Sequence, residues 1–237
     1  MMRKFTLFLS LLIITMLSSC VPYYKLSKRE FPQGTDLDTH YEITQNFIRS
    51  QRVFEQFTTL AQFDAIWLSD QTRIAYVDMY CMKRGKSSEA KESMLERQLE
   101  ENRHWISFYV LADVRDVFNG AMNDKTPVWT PYLELDGQKF EPVTIKEIEL
   151  EPEYINLFGS KLNSFKTAYL VSFSALDQSG KFYLNGCKVV KLVFSSVDKA
   201  CSMEWNLEQI NKDLKAENKN GKKAKKIGKE IDFYWGV

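Results

Sequence analysis

The spacing of apolar residues changes near residue 105. Between residues 41 and 67, Ile43, Phe47, Phe54, Phe57, Leu60, Phe63 and Trp67 recur at threes, fours and sevens. That spacing predicts an amphipathic helix. Thr39 stands where a cap would, with Glu42 three residues on as its capping-box partner. A second stretch, from Ser69 or Asp70 to Met82, sets Ile74, Val77 and Cys81 at helical spacing. It either continues the first helix or turns back on it. Lys83-Arg84-Gly85-Lys86 breaks the pattern, and Ser87 or Ser88 opens a third helix, SSEAKESMLERQLEENRHW. Its apolar side is narrow, at Met94, Leu95 and Leu99. Glu92–Glu96 and Glu96–Glu100 are like-charge pairs, so propensity and packing must hold it.

From Trp105 the period is two. ISFYVLAD reads as a strand, and residues 113–124 as either a short helix or a loop. WTPYLEL (129–135) runs into Asp136-Gly137, a type I′ turn signal. Phe140, Val143, Ile145 and Ile148 mark further short strand material. FKTAYLVSFSAL (165–176) is a strand, and Phe182–Leu184 precedes a second turn signal, Asn185-Gly186. KVVKLVFS and ACSMEWNL form a hairpin across Ser196–Lys199. Six or seven short strands punctuated by turns predict an antiparallel β-sandwich. The expected class is α+β. Amphipathic helices (41–104) pack on a C-terminal sandwich (105–208) that is immunoglobulin-like in outline only. An open sheet covered by helices is the alternative.

The flanks carry no such periodicity. Residues 20–40 hold Pro and Gly and read as a tether. Residues 209–237 form a lysine-rich tail with an aromatic end. Eight lysines against three acids between Gln209 and Glu230 suit a solvated end or contact with an anionic surface. Ile231, Phe233, Tyr234 and Trp235 then suit an edge strand or a partner contact. At the other terminus, Arg3 and Lys4 precede an uncharged run, FTLFLSLLIITML, which is short for a membrane span and right for a secretory segment. Leu17-Ser18-Ser19-Cys20 follows.

Those residues resemble the lipobox of bacterial lipoproteins. The resemblance covers only the first twenty residues and implies removal of residues 1–19 and acylation of Cys20. It also implies two or three acyl chains, enough for stable anchoring. Val21, where an Asp commonly retains such proteins at the inner membrane, implies the outer membrane of a Gram-negative host, facing the periplasm. Loss of Arg3 and Lys4 leaves 30 basic and 31 acidic side chains. That balance gives no argument for nucleic acid. Once Cys20 is acylated, Cys81, Cys187 and Cys201 remain. Export permits disulfides, and Cys187 and Cys201, flanking the predicted hairpin, are the candidate pair. Three buried free thiols are the alternative.

Candidate chemistry is thin. Glu101-x-x-His104 has the local spacing of di-metal helical bundles, but Asp36, Asp38 and His40 do not complete such a site. No metal or cofactor is expected. No nucleophile elbow, zinc motif, calcium loop or phosphate loop occurs. Glu149, Glu151 and Glu153 alternate around Pro152 and are the candidate carboxylates for an envelope hydrolase. A wet strand face explains them equally. The expected function is non-catalytic: a lipid-anchored envelope protein that binds or scaffolds another envelope component. The alternatives are that hydrolase or a small-ligand binding lipoprotein. Tyr132, Tyr154, Phe158 and the C-terminal aromatics are candidates for an exposed binding patch, with core packing as the competing role.

Overall fold

Period-two alternation governs more of the chain than its sequence suggests. The computed structural model describes residues 43–115 and 122–212, all within the unit His40–Val237. Nine strands form two antiparallel sheets. They are β1 (Ile48–Glu55), β2 (Thr58–Trp67), β3 (Trp105–Val114), β4 (Thr130–Leu135), β5 (Gln138–Phe140), β6 (Thr144–Glu147), β7 (Thr167–Ser174), β8 (Val189–Ser195) and β9 (Ala200–Asn206). The larger sheet has the order β1-β2-β3-β7-β6 and the smaller β5-β4-β8-β9. The helices are α1 (Asp70–Lys83), α2 (Ser88–His104) and α3 (Pro152–Phe158), which is followed by a 3-10 turn at Gly159–Lys161; residues 207–212 are helical as well. The fold is α+β, with two facing sheets and helices added.

The core lies between the sheets. Phe63 of β2 stacks on Phe194 of β8 at 4.2 Å, and Trp205 of β9 meets Phe108 of β3 at 5.3 Å. Along β2 and β3 the inward set is therefore Phe63, Ala65, Trp67 and Phe108, Val110, Ala112, all buried. Burying each large apolar side chain contributes about 1.5–3 kcal/mol. The other face of the larger sheet is covered as well. Tyr154 of α3 sits edge-on to Tyr109 of β3 at 4.7 Å, and Tyr76 of α1 stacks on Tyr154 at 4.6 Å. On this face Ser107 and Ser172, opposite in register, share a hydrogen bond of 3.0 Å.

The helix expected over residues 41–67 is replaced by the β1–β2 hairpin, with only a helical turn at residues 43–45. The reason is that an interval of four satisfies periods of both two and 3.6. Phe63 and Trp67 are four apart and sit on one strand face. The rest of the alternation is hidden because Asp64, Ile66 and Leu68 are buried too. The hairpin belongs to the same sheet as β3. The expected boundary between a helical region 41–104 and a sandwich starting at 105 is thereby corrected. The Thr39–Glu42 capping box, the tether, the Lys-rich tail and much of residues 113–124 lie outside the described residues.

Elsewhere the local signals hold. Ser69 caps α1 and Ser87 caps α2, each accepting from the backbone N–H three residues on. Asp136 and Gly137 both take positive φ, as a type I′ turn requires. β8 and β9 pair along their full length around residues 196–199. The Phe182–Leu184 segment makes only a single bridge, Leu176 to Phe182, in place of a hairpin strand. Pro152 starts α3 at a position where its missing N–H costs nothing.

Candidate functional site

The sandwich has two unlike ends. At the proximal end the described chain begins. Phe47 O accepts from Trp67 N at 3.1 Å and from the Trp205 indole Nε1 at 2.9 Å. β9 also finishes there. The opposite end carries the β1–β2 turn, the β8–β9 turn and the loop before β7. Thr167 is opposite Ala112, which is opposite Phe63, six residues along β2 from Phe57, so the loop before β7 enters lower on the sheet than the β1–β2 turn. Lys199 Nζ reaches across to Phe54 O at 2.5 Å.

This tip end exposes large apolar side chains. Phe57 and Val197 are fully exposed, Phe165 is 80% exposed and Phe54 54%. Phe57 follows Gln56, which takes a positive φ of 52° to close the β1–β2 turn, Val197 is in the β8–β9 turn, and Phe54 is the penultimate residue of β1. Single exposed apolar residues are ordinary, whereas several near one end of a sandwich form a candidate interaction surface. The charges nearby are mixed. Arg52 and Lys199 stand beside Glu55 and Asp198, and the Lys199 ammonium is engaged with the Phe54 carbonyl.

Beneath that end lies a buried ion pair. Lys166 Nζ donates to Asp64 Oδ2 at 2.6 Å and to Lys161 O at 2.7 Å, with both charged side chains almost wholly shielded. Lys161 in turn donates to Ser50 Oγ of β1 at 2.7 Å. The pair ties β2, β1 and the loop that presents Phe165, so it positions the surface and faces no open cleft.

The polar groups singled out in the sequence are spent on packing. Glu101 accepts from the buried Arg73 guanidinium at 2.7 Å, alongside Gln98 and Asn102. His104 lies 3.5 Å from Glu100. Among the described residues, no group of three or more His, Cys, Asp or Glu is arranged to hold a metal. Glu149 and Glu151 are exposed and Glu153 is buried, so the expected strand face of alternating carboxylates is corrected to a helix start. Glu151 accepts from the Tyr76 hydroxyl. Burial first, and then Glu151, push the Tyr76 phenol well above its ordinary range. Glu153 meets Arg84 at 3.4 Å, with its second oxygen buried and unpaired.

Tyr154 and Phe158 are core residues of α3, not an exposed patch. Tyr132 is half-buried under Lys139, whose ammonium lies 4.9 Å from its ring centre. Cys20 and the C-terminal aromatics are outside the described residues. The candidate disulfide is corrected. Cys201 pairs in register with Phe194, while Cys187 lies before the other end of β8. Seven residues of extended chain separate those levels by roughly 20 Å, far beyond the span of a disulfide. Both are free thiols, and burial pushes each up to about 11.

Nothing in the sequence marked Phe54, Phe57 and Phe165 as surface residues. The first two completed an apparent helical stripe. The only signal was that Phe57 and Phe165 stand between polar neighbours; Phe54, next to the buried Val53, carried none.

No known protein family matches the chain, and no curated protein matches it. Among solved structures, it is similar to a protein from Burkholderia pseudomallei K96243 whose crystal structure is described as a novel protein of unknown function. The identity is 10%, the match covers 76% of this chain and 86% of that one, and the TM-score is 0.34.

Proposed function

We propose that this chain is a non-catalytic, lipid-anchored envelope protein that docks another envelope protein through its tip end. The observation that carries the reading is the exposure of Phe54, Phe57 and Val197 where the β8–β9 turn reaches the end of β1, with Phe165 exposed on the loop before β7. The described residues begin at the opposite end of the sandwich. The mixed charges beside it suit the polar rim of a protein interface better than an anionic lipid surface. The carboxylates considered for hydrolysis support the same reading, since Glu151 and Glu153 already serve Tyr76 and Arg84. Among the described residues no helix is long and apolar enough to cross a membrane. The implied address is the periplasmic face of the outer membrane in a Gram-negative host.

The test is crosslinking of the full-length chain in cells, read by mass spectrometry, beside F57S/F165S. One partner protein should be captured near stoichiometry by the parent chain and lost from the variant. Unchanged capture by the variant would refute the docking surface. So would capture of lipid alone, shown by equal binding of both chains to phospholipid vesicles. C20S should leave the chain unacylated and released from the membrane; a membrane-held C20S chain would refute the anchor.

A further inference from the structure

The proximal end holds a half-open cavity of about 300 Å³ between α1, α2, the start of β3 and the loop 182–185. Leu99, Trp105, Ile106, Phe182 and Leu184 supply its apolar wall. Trp105 and Phe182 are each 40% exposed at the mouth, which is much for aromatic side chains beside a core. The volume lies at the lower limit of small-molecule sites, and a mostly apolar wall with few polar groups is their usual composition.

The polar groups decide what would bind. Asp70, in the first turn of α1, lines the cavity. Its Oδ1 accepts from Asn102 Nδ2 at 2.7 Å, so a ligand donor would meet Oδ2. The two nearby guanidiniums are committed elsewhere. Arg73 is held by Glu101, Gln98 and Asn102, and Arg103 by Glu100 at 2.8 Å. The Asp70 carboxylate is therefore matched directly only by a neutral amide. Burial raises its proton affinity, against the opposing influence of Asn102 and Arg73. A half-buried carboxylate so placed gains most from a charged donor. The aromatic mouth favours the same ligand, because ring faces attract cations.

We propose that this cavity binds a small apolar primary amine, with its ammonium at Asp70 and its body between Trp105, Phe182 and Leu184. The site is separate from the tip surface, at the other end of the sandwich. One carboxylate and one apolar slot define the class: a cationic head on a body about the size of a single ring.

Calorimetric titration of the full-length chain with 2-phenylethylamine, 2-phenylethanol and phenylacetate tests this. The amine should bind saturably and at least tenfold more tightly than the other two. D70N should weaken the amine about tenfold and leave the alcohol unchanged. F182A, at an exposed position, should weaken all three while the melting temperature holds. Equal binding of amine and alcohol would overturn the role of Asp70. Preference for phenylacetate would assign the site to Arg103 instead. No saturable binding of any probe by the folded chain would overturn the cavity as a site.

Discussion

At the proximal end Trp67, Phe108 and Trp205 close on one another and on Phe47, whereas at the tip end Phe54, Phe57, Phe165 and Val197 meet solvent. Residue type does not separate the two groups; position does. The proximal aromatics are on strand faces covered by a second sheet, and the Trp205 indole N–H satisfies the Phe47 carbonyl. Phe57 is on a turn and Phe165 in a loop, and Phe54 is one residue from the end of β1. One group holds the fold, and the other is open to solvent. This contrast yields a graded set of expectations.

The largest effect belongs to Trp205, which is fully buried and touches both Trp67 and Phe108. Trp205→Ala opens a cavity and orphans the Phe47 carbonyl. It should destabilise the fold by about 3–5 kcal/mol in denaturant melts. A loss below about 1 kcal/mol would mean that the two sheets are not sealed at this end. Next comes Lys166. Lys166→Met leaves the buried Asp64 carboxylate with only Gln62 and, at 3.9 Å, Lys161, at a cost of about 3 kcal/mol. Replacing both partners, as D64L/K166M, should recover most of that loss, because a shape-matched apolar pair needs no desolvation. If the double variant is no better than the single, the pair does more than balance charge.

These contrasts also show what could be read from the sequence. β3, β7, the β8–β9 hairpin and the Asp136-Gly137 turn are local features, written in alternation and turn chemistry. So are α1 and α2, with serine caps and helical spacing. β1 and β2 were hidden because their pairing is with each other and β3, and because β2 is buried on both faces. Single-strand periodicity cannot report that. α3 was missed because Glu149, Glu151 and Glu153 also match an extended segment; only the covering of Tyr109 by Tyr154 makes a helix of it. The tip surface was least legible of all, since a turn phenylalanine and a core phenylalanine are the same letter.

The cysteines give a smaller effect with a definite sign. Cys187 lies near the proximal end of the β8–β9 hairpin and Cys201 near its turn, both with thiols raised to about 11 by burial. The thiolate is the reactive form. Alkylation of the folded chain should therefore be slow at pH 8 and rise with pH toward 11. The linkage has the same direction. Between pH 9 and 11 the unfolded chain releases these protons first, so stability falls as pH rises through that window. Reaction at the rate of an unhindered cysteine at pH 8 would contradict the burial at both ends.

The smallest expected effect discriminates best. F57S/F165S removes two aromatic rings, as large a chemical change as any proposed at the proximal end. If the tip residues only meet solvent, its stability should match the parent chain within about 0.5 kcal/mol, while partner capture is lost. A destabilisation above about 2 kcal/mol would place these rings in the structural group with Trp205, and loss of capture would then report unfolding. Equal stability with lost capture separates the two ends by function, because the same deletion of aromatic surface is felt by the fold at one end and by the partner at the other.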